Sequence, residues 1–165
     1  MSGTGRPAEH TVDASGLRVA IVATRWNAEV VEPMVERARA ALARTGAHEP
    51  VVVRVAGAVE IPVVAQQLAR THEAVVALGA VIRGGTPHFD YVCQSVTHGL
   101  TEAALRESTP IGNGVLTCDT QEQARDRAGL PGSHEDKGWE AAIAAVDTAV
   151  VLRGLREGAA APAAG

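Results

Sequence analysis

Four short apolar runs punctuate the chain: LRVAIVA at 17–23, VVVRV at 51–55, AVVALGAVI at 74–82 and IGNGVL at 111–116. They are nearly continuous and rich in Val and Ile, the pattern of parallel strands buried on both faces. Between them the hydrophobic period lengthens. Val30, Val31, Met34, Val35, Ala38 and Leu42 share one side of a helix, with Glu32, Glu36, Arg37 and Arg39 largely opposite. Further helices are predicted over 61–70, with Pro62 in a tolerated first-turn position, and over 89–107, 121–128 and 138–157. The order β-α-β-α-β-α-β-α-α predicts a four-stranded parallel sheet with helices on both faces. Right-handed crossovers make it a three-layer α/β/α sandwich.

One folded domain is expected over 16–157. Residues 1–15 and the end at 158–165 (GAAAPAAG) read as loose tails, with a segment near Thr11 and Val12 able to add an edge strand to a neighbour. With 165 residues, 46% of them hydrophobic, the chain can bury a single sizeable core. Fifteen Lys and Arg against nineteen Asp and Glu give a formal charge of −4, which disfavours a generally basic nucleic-acid binder. Trp26, Phe89, Tyr91 and Trp139 are too few aromatics for a base-stacking platform. Cys93 and Cys118 cannot build a disulfide scaffold or a Cys-based zinc module. The start, MSGTGRPAEHTVDASG, lacks the apolar centre of a secretory signal, and the run 74–82 is far short of a membrane span. The expected address is cytoplasmic, with neither nucleic acid nor membrane as partner.

In open α/β sheets, ligands sit beyond the carboxyl ends of the strands. The loops there carry Thr24-Arg25-Trp26-Asn27, Ala56-Gly57-Ala58-Val59-Glu60 and Arg83-Gly84-Gly85-Thr86-Pro87-His88. The third is the most informative. Gly84 and Gly85 free the backbone, Thr86 adds a hydroxyl, and a helix starting near Phe89 aims its unpaired N–H groups at the loop. That is either an anion site or an ordinary strand-to-helix turn. The string GAVIRGGT resembles a phosphate-binding P-loop, but Gly85 stands where the lysine belongs, so the nucleotide reading fails. His88 suits proton transfer near neutral pH, or is simply the helix's first neighbour. Trp26 is placed to stack on a planar heterocycle or to close the core as a lid. Glu60 meets a helix dipole favourably whatever else it does. Trp139 reads as packing.

Asn113, near the start of the fourth strand, belongs to the opposite, amino end of the sheet. Arg127 closes the short helix expected to run back down, and Lys137, the only lysine, follows on that same side. If these groups serve the upper site, a second subunit must supply them.

The segments GAVEIP (57–62), LGAVIRGGTPHFDYV (78–92), PIGNGVLT (110–117), EQARDRAG (122–129) and DKG (136–138) together resemble the lumazine synthases of riboflavin biosynthesis. The likeness runs from about Leu17 to Arg156. It implies that the chain joins 5-amino-6-(D-ribitylamino)uracil to 3,4-dihydroxy-2-butanone 4-phosphate, giving 6,7-dimethyl-8-ribityllumazine, phosphate and water, with no metal or redox cofactor. Residue by residue, it implies that Trp26 stacks on the pyrimidine. Ala58, Val59 and Glu60 hold the ribityl chain, and Ala80, Val81 and Ile82 the ring edge. Asn113 completes that pocket from a neighbouring subunit. Gly85, Thr86 and Arg127 bind the phosphate, and His88 transfers the proton. The imine forms on the substrate's own amine, which leaves Lys137 as a substrate contact near Arg127 rather than a nucleophile.

Departures from the commoner family pattern are Val59 for Phe, Gly85 for a larger residue and Asn113 for Phe; none removes a group that the chemistry needs. Members forming icosahedral shells generally have a shorter loop than the seven residues LPGSHED. Pentamers, or pairs of them, are therefore expected. A non-catalytic riboflavin- or lumazine-binding protein on the same scaffold is the alternative, but Thr86, His88 and Arg127 are all retained. A flavodoxin-like electron carrier shares the layering, yet TRWN is not its hydroxyl-rich phosphate loop. A purely structural shell subunit is disfavoured by the long loop.

Overall fold

The four apolar runs pair edge to edge, all parallel, in the order β2-β1-β3-β4. The strands are β1 (Val19–Thr24), β2 (Val51–Val55), β3 (Ala74–Ile82) and β4 (Ile111–Cys118). The helices are α1 (Ala28–Arg44), α2 (Ile61–Ala69), α3 (His88–Glu107), α4 (Gln121–Arg125) and α5 (Lys137–Arg156), with a 3-10 turn at Ala58–Glu60 before α2. The computed structural model describes residues 12–158.

Strand pleating sorts the core into two layers. Val19, Ile21, Ala23, Val76 and Leu78 point to the face covered by α1 and α5, whereas Val22, Val75 and Ala77 point to the face covered by α2 and α3. The three-layer sandwich read from the sequence is the observed architecture. The central strands β1 and β3 are buried along almost their whole length. The edge strand β4 instead alternates, and its Asn113 and Thr117 are exposed on the α3 side.

The other face of β4 is packed very tightly against α5. A Cβ at Gly112 would lie 2.1 Å from the Ala141 carbonyl oxygen, and one at Gly138 would lie 2.3 Å from that of Met34. Glycine here makes room for backbone against backbone.

Three sequence expectations shift. Residues 12–15 belong with the folded body: Val12 and Ala14 are buried in the core, and the Ala14 N–H donates to the Thr45 carbonyl at 2.8 Å. The remaining tail segments, including the Thr11 end of the suggested edge strand, lie outside the described residues. The helix expected over 121–128 spans only five residues, about 7 Å at helical rise, and cannot carry the chain back down the sheet. Third, Arg127 and Lys137 therefore stay near the carboxyl ends of the strands instead of the amino ends. Helix α5 descends antiparallel to β4, since Gly114 lies under Ala141 whereas Gly112 reaches both Ala141 and Ala145. Lys137, a turn before Ala141, sits above them.

Candidate active site

The chain leaves β1 toward α1 on one face and leaves β3 toward α3 on the other. Adjacent strands whose connections diverge in this way open a crevice at their carboxyl ends. Both walls of the crevice are built by short-range bonding. On the β1 side, Thr24 is buried and its hydroxyl donates to the Trp26 carbonyl at 3.1 Å. Asn27 takes a left-handed backbone conformation, φ 57°, and its amide donates to the Ala80 carbonyl at 2.9 Å. That bond ties the β1 loop to the end of β3. It leaves Trp26 74% exposed, so the lid reading fails: a lid over the core would be covered. The neighbouring β2 loop is set by Glu60, whose carboxylate accepts from the Gly57 N–H at 2.8 Å. Ala58 is half-buried, while Val59 and Glu60 are exposed. Ala80 is buried; Val81 and Ile82 are half-buried.

On the β3 side, residues 83–88 are all exposed. Among the described residues, no hydrogen bond uses the N–H groups of Gly84, Gly85 or Thr86. Pro87, at the N-cap of α3, gives no side-chain hydrogen bond to the helix. A twenty-residue helix thus turns an open positive end toward a loop of unpaired donors, with His88 as its first residue. Phosphate is the sort of group such a site receives.

Arg127 lies on the α1/α5 side of the sheet end, close enough for its charge to favour the Cys118 thiolate; burial is the larger effect and pushes that thiol up. Its guanidinium donates to the Gln123 carbonyl at 2.9 Å and lies 3.9 Å from Glu135. The segment is pinned to the first turn of α1, where Glu29 accepts from Gln121 at 2.5 Å and pairs with Arg125. The Lys137 ammonium is mostly buried, 2.6 Å from Glu135 and 2.7 Å from Glu140. Burial lowers its pKa, but the hydrogen bonds and charge it shares as donor with the two carboxylates outweigh that and raise it overall. Asn113 is five residues below the end of β4, roughly 16 Å at strand rise, and its side chain accepts from the Val115 N–H.

One chain therefore brings together Trp26, the 58–60 turn, the end of β3 and the loop to His88. It does not bring Asn113 to them. A shallow cavity of about 180 Å³ between Leu17, Glu73, Ala149 and Leu152 lies at the opposite end of the sheet. Thr24, Asn27 and Arg83 organise the crevice and were missed as site residues in the sequence. An Asn immediately before a helix was the one available signal, because it tolerates the left-handed conformation.

These features define an α/β protein with an open crevice at the carboxyl ends of its parallel sheet. Residues 16–153 match the family model described as 6,7-dimethyl-8-ribityllumazine synthase. A protein of that name from Thermobifida fusca is 77% identical over 157 residues, covering 95% of this chain and 92% of the relative. Those from Saccharopolyspora erythraea and Frankia casuarinae are each 62% identical over 156 residues, covering 94% of this chain and 94% and 98% of the relatives. The chain belongs to the 6,7-dimethyl-8-ribityllumazine synthase family. It is a transferase of riboflavin biosynthesis. Among the described residues, no helix is long and apolar enough to cross a membrane.

Proposed function

We propose that the condensation of 5-amino-6-(D-ribitylamino)uracil with 3,4-dihydroxy-2-butanone 4-phosphate takes place in the crevice between β1 and β3. The open N-terminus of α3, which presents His88 behind the unpaired donors of residues 84–86, carries this reading. Trp26 stacks on the pyrimidine. The ribityl chain lies along Ala58, Val59 and Glu60, and the ring edge meets the backbone of Ala80, Val81 and Ile82. Gly85, Thr86 and Arg127 hold the phosphate, and Lys137 contacts the same substrate near Arg127.

The chemistry needs positioning and proton movement. The 5-amino group attacks the ketone, and loss of water gives an imine. Elimination of phosphate yields an enol that becomes a carbonyl, and the ribitylamino nitrogen closes onto it with loss of a second water. Holding the two substrates together can supply about 7–11 kcal/mol. Proton transfer by His88 adds about 10²–10⁴-fold. Each charge-assisted bond to the departing phosphate contributes about 1.5–3 kcal/mol.

Asn113 is proposed to complete the pocket from an adjacent subunit. Its exposed place on the α3 side of the edge strand β4, beside an α3 whose Tyr91 and Leu105 are also exposed, supports a neighbour there. The assembly is proposed to be a pentamer or a pair of pentamers, in the cytoplasm. Light scattering that returned an icosahedral mass would exclude it.

The direct test mixes the protein with both substrates and follows lumazine absorbance and inorganic phosphate together. Equimolar release above the uncatalysed rate, reduced in His88→Ala, is expected. Tight pyrimidine binding without phosphate release would leave a binding protein on this scaffold.

A further inference from the structure

Arg83, the first residue after β3, has no part in the chemistry above, yet it makes contacts in several directions. Its N–H donates to the Cys118 carbonyl at 2.9 Å, extending the β3–β4 ladder one step past Ile82. Its Nε donates to Asp119 at 2.7 Å. Its two terminal nitrogens donate to the Asp90 carboxylate at 3.2 and 3.4 Å. The guanidinium carbon stands 4.1 Å from the centre of the Phe89 ring. Phe89 and Asp90 directly follow His88, so these contacts close a ring around residues 84–88. Asp119 leads from β4 into α4 and on to Arg127. One side chain thus grips both ends of the loop and fastens it to the segment bearing Arg127.

We infer that Arg83 is a positioning residue, which fixes the anion-binding loop and His88 relative to the end of β4. The inference rests on the proposed reading of that loop as the phosphate site. The Arg83 Nε and both terminal nitrogens already donate to carboxylates, so its fork is not turned toward a phosphate. It acts through the geometry of residues 84–88. A planar fork can pair with two carboxylates and stack on a ring at once, which an ammonium cannot. Exposed ion pairs of this kind contribute little to overall stability. The effect of losing Arg83 therefore falls on phosphate recognition.

Calorimetry separates the possibilities, titrating inorganic phosphate and, separately, the pyrimidine substrate into the wild-type protein, Arg83→Gln, Arg83→Lys and Asp119→Asn. Sub-ångström misplacement weakens anchored binding, so Arg83→Gln and Asp119→Asn are expected to bind phosphate about tenfold more weakly, with pyrimidine affinity held within about twofold. Arg83→Lys falls between. Unchanged phosphate affinity in both variants overturns the inference. So does tighter phosphate binding in Asp119→Asn combined with its loss in Arg83→Gln, which would make Arg83 a direct ligand. Asp119→Asn keeps the contacts to Asp90 and Phe89 and reports even if Arg83→Gln fails to fold. A wild-type protein that binds phosphate no better than a Thr86→Ala, Arg127→Ala double variant would instead sink the loop reading, and this inference with it.

Discussion

Helices α3 and α5 are both twenty residues long and flank the same edge strand from opposite sides. Helix α5 buries Gly138, Ala141, Ala142, Ala145, Val146 and Ala149, a stripe of small residues that brings its backbone down onto β4. Helix α3 buries only Val96, Leu100 and Ala103. Their N-termini differ in the same sense. At α5, Asp136 accepts from the Trp139 N–H at 3.0 Å and is itself paired with Arg37 at 2.5 Å. At α3, the N-cap is a proline with no such side-chain bond. A helix used as a wall has its end satisfied internally, whereas a helix used to meet a ligand keeps its end open. The proposed chemistry belongs to α3, and the stability of this side of the sheet to α5.

That division is broken most severely at His88. His88→Ala is expected to lower the turnover of lumazine formation about 10²–10⁴-fold. The side chain is exposed, so the unfolding free energy from urea melts should change by no more than about 0.5 kcal/mol. Comparable losses of rate and stability would mean that His88 holds the fold.

The converse substitution is Gly112→Ala. A methyl group 2.1 Å from the Ala141 carbonyl oxygen forces α5 away from the sheet. Overpacking of this sort costs about 1–3 kcal/mol. Denaturant melts should show it, while the Michaelis constants of the protein that remains folded stay near wild type.

The comparison also explains what could be read from the residues alone. The buried strands β1 and β3 are apolar at nearly every position, so their parallel, doubly covered state is written locally. Strand β4 was read from the same kind of run, IGNGVL, but its glycines answer to a helix some thirty residues later, and its Asn113 is an exposed position on the α3 side of an edge strand. Residues 121–128 carry a helical pattern, yet the helix stops at Arg125. The chain then folds into a loop bonded to itself, with the Leu130 N–H donating to Ser133 Oγ at 3.1 Å. An overlong helix carried Arg127 and Lys137 to the wrong end of the sheet in the sequence reading. Arg83 escaped notice because Asp119, its nearest partner, is 36 positions away. Trp26, Glu60, Thr86 and His88 stand out as candidates because each is an uneconomical choice for packing in a loop at a strand's carboxyl end.

The smallest expected effect concerns how the N-terminus of α5 is held in place. His134 Nδ1 lies 2.5 Å from Asp126, and the His134 N–H donates to the same carboxylate oxygen at 3.1 Å. The hydrogen bond and charge of Asp126 raise the His134 pKa above its ordinary 6.5. The hydrogen bonds from His134 lower that of Asp126 below its ordinary 3.8. The signs fix the window. A raised histidine pKa contributes stability that is complete below 6.5 and lost as pH rises through the folded-state value. A lowered aspartate pKa contributes stability present above 3.8 and lost as pH falls through its folded-state value. The tie between α4 and the loop before α5 is thus strongest between those limits. Amide exchange in residues 129–136, corrected for intrinsic rates, should be slower near pH 5.5 than near pH 8, and His134→Ala should remove the difference. The pair is open to solvent and screened by salt, so the change stays local and leaves global unfolding nearly untouched. The first turn of α3 is held instead by Arg83 on Asp90, a pair without a histidine: if it showed the same corrected pH response, the contrast between the two helix ends would collapse.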